Sequence, residues 1–372
     1  MPETADRRTL KGYKFIPSIK FQTDEHEKIG EKLTIGKEKI TLPNGVRLQF
    51  AYIIALAGDF YGIPDEPIVN PLNPSHSDRL HRFINAYSTL ANTPYKGEYK
   101  EQLDKLVKMI REDTDGRKRL CHHTDREWDE ATGGWWIGEY PVWPWRGNML
   151  RLAEKNFDHF GSRAKRAYET GHGYAIEIAR QAGRSKGKDI GEKLRDMAYS
   201  IEAFALHFFT DAFASGHIRT PRAELHSNVT PSLTGDLLSK FMHDEDNKFG
   251  LRVTNVRGDK WIAYGDGMLM KNKDKDNFNL VVEAAQTSVD QVIMAYDVPD
   301  IKLHPCAVTD FLPFLDEKEK NNTPLFQVKD GEIHLRSDIN DLQCKETITD
   351  WWGSTTAWEL WRYNPKNPAI PI

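Results

Sequence analysis

The chain has 372 residues, 39 % of them hydrophobic, with 10 Trp, 13 Tyr and 17 Phe and a formal net charge of −4 at pH 7. This length and apolar content can bury a self-supporting core, as one large domain or two ordinary ones. The slightly acidic balance lacks the basic surface that duplex nucleic acid usually requires, so no such partner is expected.

The predicted elements are mainly α-helices with small β-hairpins between them. Residues 1–46 are expected to form a polar N-terminal arm and a hairpin. Residues 47–296 are expected to form one helical domain, and residues 297–372 a C-terminal extension packed on it. No period of 20–50 residues repeats along the sequence, which argues against a solenoid.

Three hairpin turns are predicted from glycine-containing pairs and the alternating residues around them. The first is Asn44-Gly45, the second Arg257-Gly258, and the third lies near Gly331. They decorate the helical core at its start, after its middle and in the C-terminal extension.

Cysteine content and the N-terminal sequence limit the chemistry and the location. Cys121, Cys306 and Cys344 have no CxxC spacing, so neither a disulfide framework nor a thiolate zinc site is expected. The N-terminus, MPETADRRTLKGYKF, lacks the apolar segment of a Sec signal, and no run of 18 apolar residues occurs. We therefore predict no transmembrane segment, and a protein that is cytoplasmic or secreted by a route without a cleavable signal.

The stretch ALHFFTDAFASGHIRTPR gives the strongest chemical signal. It ends a strongly apolar predicted helix, and His207 and Asp211 are four residues apart, so both project from one helix face. His217 follows Gly216, where the helix is expected to end or bend. Imidazole and carboxylate are the ligands that zinc prefers without thiolate, and Asp211 could bridge two ions. The alternative is a structural histidine, although two ionisable groups on so apolar a helix are costly to bury unless paired or metallated.

Two further histidines have acidic neighbours. His159 follows Asp158 at or before the start of a predicted helix, and His243 precedes the acidic run that ends at Asp246. Each could be a metal ligand. Taken alone, His159 is also compatible with a structural role, and the acidic run with a solvated turn.

Together these features resemble the zinc-dependent phospholipase C family, a relative of the single-strand-specific fungal zinc nucleases. The resemblance rests on His207-x3-Asp211-x5-His217, on the pair His159-Phe160 upstream, and on a later histidine with an acidic neighbour. The stretches ALAGDFYG, DAFASGHIRTPR and MHDEDN look like the bacterial and fungal branch of phosphatidylcholine-hydrolysing enzymes.

The resemblance covers roughly residues 47–296 and implies a phospholipase C/nuclease-like helical fold with two to three zinc ions. It implies hydrolysis of the glycerol-side phosphodiester of phospholipids such as phosphatidylcholine, at a membrane surface, to diacylglycerol and phosphocholine. Metal-activated water would be the nucleophile. The implied zinc ligands are Asp59, His159, His207, Asp211, His217, His243 and Asp246.

Individual roles follow from the same resemblance. Asp59 looks like the aspartate that serves as zinc ligand, general base or both. The family has an acidic residue at the position of Asn247, so Asp246, or the Asn247 amide oxygen, would replace it. Independently of the resemblance, Arg219 or Arg222, just after His217, could pair with a phosphate oxygen of the substrate, with surface arginines as the alternative interpretation.

The start of the chain departs from the secreted members of the family. Those members use a processed N-terminal Trp amine and an early His for a third zinc ion, whereas here no Trp precedes Trp128. Candidates for an alternative ligand of a third ion are His76, His81, His122 and His123, each of which is also compatible with an ordinary surface histidine.

An aromatic stretch follows Trp128 and has several interpretations. It could pack the core and loops, line a pocket for a choline cation, or contact lipid. The tryptophans concerned are Trp135, Trp136, Trp143 and Trp145.

Two other functions remain open on the same scaffold. A zinc-dependent nuclease or phosphatase would use the same ligands with a different pocket, although the sequence lacks a basic stripe for nucleic acid. A non-catalytic interaction protein could retain the fold. A di-iron helical bundle is disfavoured because the ExxH pairs of such proteins are missing.

Overall fold

The computed structural model describes residues 23–70, 75–115, 122–138, 140–265, 267–304 and 307–370. Within them the chain forms 13 α-helices and ten short strands, the strands lying in four small antiparallel sheets. The prediction of a mainly α fold with small β-hairpins is confirmed. Among the described helices, none combines the length and apolar character needed to cross a membrane.

The helices are α1 (Thr23–Glu31), α2 (Phe50–Leu56), α3 (His76–Ala91), α4 (Gly97–Asp115), α5 (Asp125–Ala131), α6 (Asn148–Ala153), α7 (Gly161–Arg184), α8 (Asp189–Asp211), α9 (Ser215–Arg219), α10 (Arg222–Asn228), α11 (Ser232–Phe249), α12 (Lys275–Asp297) and α13 (Gly353–Leu360). The strands are β1 (Ile40–Thr41), β2 (Arg47–Leu48), β3 (Trp136–Ile137), β4 (Tyr140–Pro141), β5 (Leu251–Thr254), β6 (Lys260–Ala263), β7 (Phe314–Leu315), β8 (Phe326–Lys329), β9 (Glu332–Arg336) and β10 (Thr347–Ile348).

Helix α8 lies at the centre of the main core, packed between α7, α12 and α2. Its first half buries only Gly191 and Asp196, whereas residues 198–211 are all buried. The apolar run that includes Phe204 and Phe209 therefore draws the end of the helix into the interior. This placement carries the last turn of α8, with its ionisable side chains, away from solvent.

The three predicted hairpins form where expected. β1 pairs with β2 around Asn44, whose side chain accepts the N–H of Val46, and β5 pairs with β6. β8 pairs with β9 across Asp330-Gly331, where both residues have positive φ. Turn chemistry and residue alternation were sufficient to predict these local features.

The start of the described chain differs from the polar arm that was expected. Residues 23–31 form α1, which packs against α2 and places Ile29 in the main core. Its polar side chains are buried because they have partners: Glu25 Oε1 accepts the N–H of Leu269 at 3.0 Å, and Glu27 bonds to the hydroxyl of Thr114. Residues 1–22 lie outside the described part of the chain.

The C-terminal extension builds a second, smaller core against α10 and α11. Strand β8, strand β9 and helix α13 contribute Phe326, Leu335 and Leu360, respectively, to this core. Beside it, the fully buried Arg336 donates to Glu245 of α11, with Nη1–Oε1 at 2.8 Å and Nη2–Oε2 at 2.7 Å. A buried ion pair and an apolar core thus fix the extension to the helix that carries His243.

Candidate metal centre

His207 lies at the centre of a buried cluster and has one ring nitrogen available. Its Nδ1 donates to the carbonyl oxygen of Ile54 on α2 at 3.0 Å, which fixes the proton on Nδ1 and leaves the lone pair on Nε2. Nε2 is buried, and it forms no hydrogen bond to any of the described residues. Burial holds the pKa of His207 well below its usual value, so the imidazole is neutral.

Asp211, one turn further along α8, faces the same point. Its Oδ2 lies 2.7 Å from Nδ1 of His159 and 3.5 Å from Nε2 of His207. Burial would raise the pKa of this carboxyl, but the neighbouring His207 and His159 imidazoles outweigh that effect and hold it well below its usual value. An ionised carboxylate and a neutral imidazole therefore share the interior of the fold.

His159 reaches the cluster from a 3-10 turn, Phe157–His159, that immediately precedes α7. Asp158 fixes this turn, because its two carboxylate oxygens accept the backbone N–H groups of Ile68 and Val69 at 2.6 and 2.8 Å. Asp158 is thus occupied in holding the loop, while its neighbour His159 points into the cluster.

Asp59 closes the cluster from the end of α2. Its Oδ1 lies 3.8 Å from Nε2 of His207 and 4.0 Å from Nδ1 of His159. Gly58, just before it, has a φ of +68° and lies against the His207 ring. The sequence-predicted residues Asp59, His159, His207 and Asp211 are therefore brought together.

His26 of α1 also belongs to this cluster, and sequence reasoning missed it. Its Nε2 lies 3.3 Å from Oδ1 of Asp211, and its Nδ1 lies 2.8 Å from Oγ1 of Thr210. The Thr210 hydroxyl has its own proton directed to the carbonyl oxygens of Leu206 and His207, so it accepts from Nδ1 of His26. The only sequence signal was that His26 and Ile29, three residues apart, share a helix face.

These side chains fit a zinc ion. Ligand atoms of His159, His207 and Asp211 all lie within 4.8 Å of one another, as do those of His26, Asp59 and His207. Both groups include His207, whose single free lone pair serves one ion, so they describe one position around Nε2. Imidazole nitrogen and carboxylate oxygen are the ligands typical of zinc sites in proteins. Nδ1 of His207 is held by a backbone carbonyl oxygen and Nδ1 of His26 by a hydroxyl group, as is common for zinc-binding histidines.

His217 and His243 lie beside this centre rather than within it. His217, on α9, has its Nδ1 3.6 Å from Oδ1 of Asp211, and its ring centre is 5.0 Å from that of His243 on α11. The ring of Phe160 packs on His217 at 4.6 Å. The spacing His207-x3-Asp211-x5-His217 therefore places all three side chains in one neighbourhood.

The expectations for Asp246, Arg219 and Arg222 are corrected by the structure. Asp246 is fully buried, and Arg219 holds both of its oxygens, at 2.8 Å from Nε and 2.6 Å from Nη2. Arg222 is also buried, with Nη2 donating to the carbonyl oxygens of Ala153 and Glu154. Asp246 is thus not directed at the centre, and both guanidinium groups are engaged within the fold rather than directed at a substrate.

The proposed alternative ligands for a third ion lie elsewhere. His76 and His81 are exposed on α3. His123 pairs with Asp113 at 2.5 Å, and the exposed His122 lies 3.8 Å from the same carboxylate.

No protein-family model matches this sequence, and no curated protein or solved structure is significantly similar to it. What the chain does is therefore inferred from the geometry of the centre and its surroundings.

Proposed function

We propose that the protein is a zinc-dependent phosphodiester hydrolase acting on phospholipids such as phosphatidylcholine, as a phospholipase C. The observation that supports this proposal is the orphaned Nε2 of His207, a neutral, buried nitrogen that faces the carboxylates of Asp59 and Asp211. A buried polar atom without a partner is unfavourable, and a bound cation relieves it.

The residues that would hold zinc are His159, His207 and Asp211, with Asp59 and His26 beside them. Bound there, zinc would supply a water of lowered pKa and a positive charge for the phosphoryl oxygens. Hydrogen bonds to the outer ring nitrogens favour this binding. Ile54 fixes the tautomer of His207 and Thr210 that of His26, so the Nε2 lone pair of each ring is directed into the cluster.

In this proposal Asp59 would orient or deprotonate the attacking water. Its Oδ1 is 3.8 to 4.0 Å from the nearest nitrogens of His207 and His159, so it stands at the edge of the ligand cluster rather than in direct contact with either ring. A carboxylate at this distance can accept a proton from, or orient, a water held in the cluster.

The aromatic hairpin formed by β3 and β4 supports a lipid rather than a nucleic acid as the substrate. Trp136 is buried and donates from Nε1 to Asp129 at 2.8 Å, which fixes the hairpin to α5. Helix α5 in turn packs on Phe60, the residue after Asp59, through Trp128, with ring centres 5.2 Å apart. Tryptophan and tyrosine side chains prefer the interface between lipid and water. The hairpin and the turn after it expose more than half of each of Trp135, Ile137, Tyr140 and Trp145.

The test is zinc content by elemental analysis, followed by release of phosphocholine from phosphatidylcholine vesicles. We expect bound zinc in the wild type and its loss in His207→Ala and Asp211→Asn. His76→Ala, which removes an exposed histidine of α3, is the matched control and should keep both zinc and activity.

A parallel panel of single-stranded DNA and a mononucleotide separates the alternatives. Cleavage of these substrates without phosphocholine release would replace the phospholipase by a nuclease or phosphatase on the same centre. Absence of zinc in the wild type after zinc is supplied, with no change in either variant, would overturn the enzyme proposal and leave a non-catalytic interaction protein.

A further inference from the structure

Asn247 of α11 is locked in a single orientation between His243 and the backbone of α9. Its Oδ1 accepts the backbone N–H of Gly216 at 2.6 Å. A Cβ at position 265 would overlap this amide, so the glycine there leaves space that the Asn247 side chain fills. Rotating the amide by half a turn would set two N–H donors against each other, which excludes the opposite orientation.

This orientation directs the Asn247 amide nitrogen at His243. Nδ2 of Asn247 lies 3.1 Å from Nε2 of His243 and 3.5 Å from its Nδ1. An amide N–H group only donates, and Nδ1 also faces the carboxylate of Asp244, so the nearer Nε2 is assigned as the acceptor. The imidazole proton is then on Nδ1, which lies 3.1 Å from Oδ1 of Asp244. The lone pair with which His243 would bind a metal ion is therefore already used by Asn247.

The neighbourhood of His243 contrasts with that of His207. At His207 the lone pair of Nε2 faces two carboxylates and has no donor opposite it among the described residues. Near His243 the carboxylate of Asp246 is held by Arg219, the carboxylate of Asp244 faces Nδ1, and the side chain facing Nε2 is a neutral donor. A neutral donor in place of an anionic ligand weakens cation binding for two reasons: the attraction of a negative charge is missing, and the N–H proton points at the position that the cation would take.

We infer that Asn247 blocks a second metal position at His217 and His243, so that each chain holds a single tightly bound ion, around His207. The inference rests on the proposed function in that it takes the His207 centre to bind zinc. The matched change is Asn247→Asp, which keeps the shape and the acceptor for Gly216. It replaces the donor facing His243 by a carboxylate oxygen, which frees Nε2 and adds an anionic ligand.

Zinc per chain is measured by elemental analysis after exhaustive dialysis, and cobalt titration followed by visible absorption gives an independent count. We expect one ion in the wild type and two in Asn247→Asp. Asn228→Asp adds the same charge at an exposed asparagine of α10 and should keep one ion. His243→Ala should also keep one ion, and it tests the inference even if Asn247→Asp fails to fold.

Two zinc ions in the wild type that fall to one in His243→Ala would overturn the inference, as would a single ion in folded Asn247→Asp. Neither result depends on hydrolysis. One ion per chain without cleavage of any phosphodiester would refute the proposed function and leave this inference intact, whereas no zinc in the wild type or in Asn247→Asp would refute both.

Discussion

The backbone of Gly58 lies directly against the imidazole ring of His207. A Cβ at position 58 would stand 2.5 Å from both Nε2 and Cδ2 of His207, and 3.0 Å from Cε1 of His159. Two rings of the candidate centre thus approach the chain so closely that only a residue without a side chain fits. The φ of +68° at Gly58 adds a second reason for glycine at this position.

We expect Gly58→Ala to lower zinc affinity by about 10- to 100-fold, because the new methyl group displaces His207 and His159. Its left-handed backbone should also reduce the free energy of unfolding by about 1–2 kcal/mol. Gly36→Ala is the control, since Gly36 has a φ of +71° and no atom lies within 4 Å of the position that its new methyl group would take. Chelator competition and thermal unfolding measure the two effects; equal zinc affinity in both variants would contradict the proposed contact.

Thr210→Val tests whether the hydroxyl that holds His26 contributes to metal binding. The change removes the acceptor for Nδ1 of His26 while keeping a similar shape, and we expect about a 10-fold loss of zinc affinity. Thr170→Val is matched to it, because Thr170 is also a buried helical threonine bonded to a carbonyl oxygen four residues earlier. Unchanged affinity in Thr210→Val would show that His26 is not held for metal binding.

Arg336→Met tests the buried ion pair that fixes the C-terminal extension. It leaves Glu245 buried without its cation, so we expect the free energy of unfolding to fall by about 3–5 kcal/mol. The double variant with Glu245→Met should lose much less, since both charges are removed. Lys100→Met breaks an exposed pair with Asp104, which solvent screens, and should leave the free energy of unfolding nearly unchanged. The measurement is denaturant unfolding of the wild type, the Arg336→Met variant, the double variant and the Lys100→Met variant. Equal losses of unfolding free energy in Arg336→Met and in the double variant would contradict the role given to the buried pair.

The pH dependence of stability should reflect Asp274. Burial raises the pKa of its carboxyl to about 7, against the hydrogen bonds from the N–H of Tyr264 and from Asn277, which lower it. Between the ordinary Asp pKa and 7 the folded state binds more protons than the unfolded state, so stability falls as pH rises through this window. The contribution of Asp274 to this fall in the free energy of unfolding is at most about 4 kcal/mol, and we expect Asp274→Asn to remove it.

The measurement is unfolding free energy at pH 4 to 7 with a chelator present, so that metal binding does not contribute. Glu27, whose pKa burial also raises to about 7, should leave a residual slope in the same direction. Asp350→Asn, at an exposed position, should reproduce the wild-type curve. A wild-type slope in Asp274→Asn would show that this carboxyl is ionised throughout.

The local part of the centre could be predicted from the sequence. His207, Asp211 and His217 lie close together because helix geometry and a short connection fix their spacing, and the apolar composition of α8 implies their burial. The turn residues of the hairpins were likewise sufficient to place β1–β2 and β8–β9. Both successes concern residues close together in the chain.

The failures concern residues that meet only through tertiary packing. Asp246 stands in an acidic run beside His243, and nothing in that run shows that Arg219 holds it. His26 sits in a polar segment, and its approach to Asp211 depends on how α1 packs against α2 and α8. Packing between distant segments determines which of several chemically similar side chains reaches the centre, and the local sequence pattern does not predict this packing.

Besides the core packing of Ile29, helix α1 is held by directional polar contacts, from Glu25 to the backbone of Leu269, from His26 to Thr210 and from Glu27 to Thr114. Such a segment opens at a lower free energy than the apolar helices beneath it, and amide exchange should report this opening. Each opening would carry His26 away from Asp211. A cation that binds only the closed form would therefore slow amide exchange along α1 in proportion to its concentration. The opening of the N-terminal helix would in this way depend on the concentration of free metal.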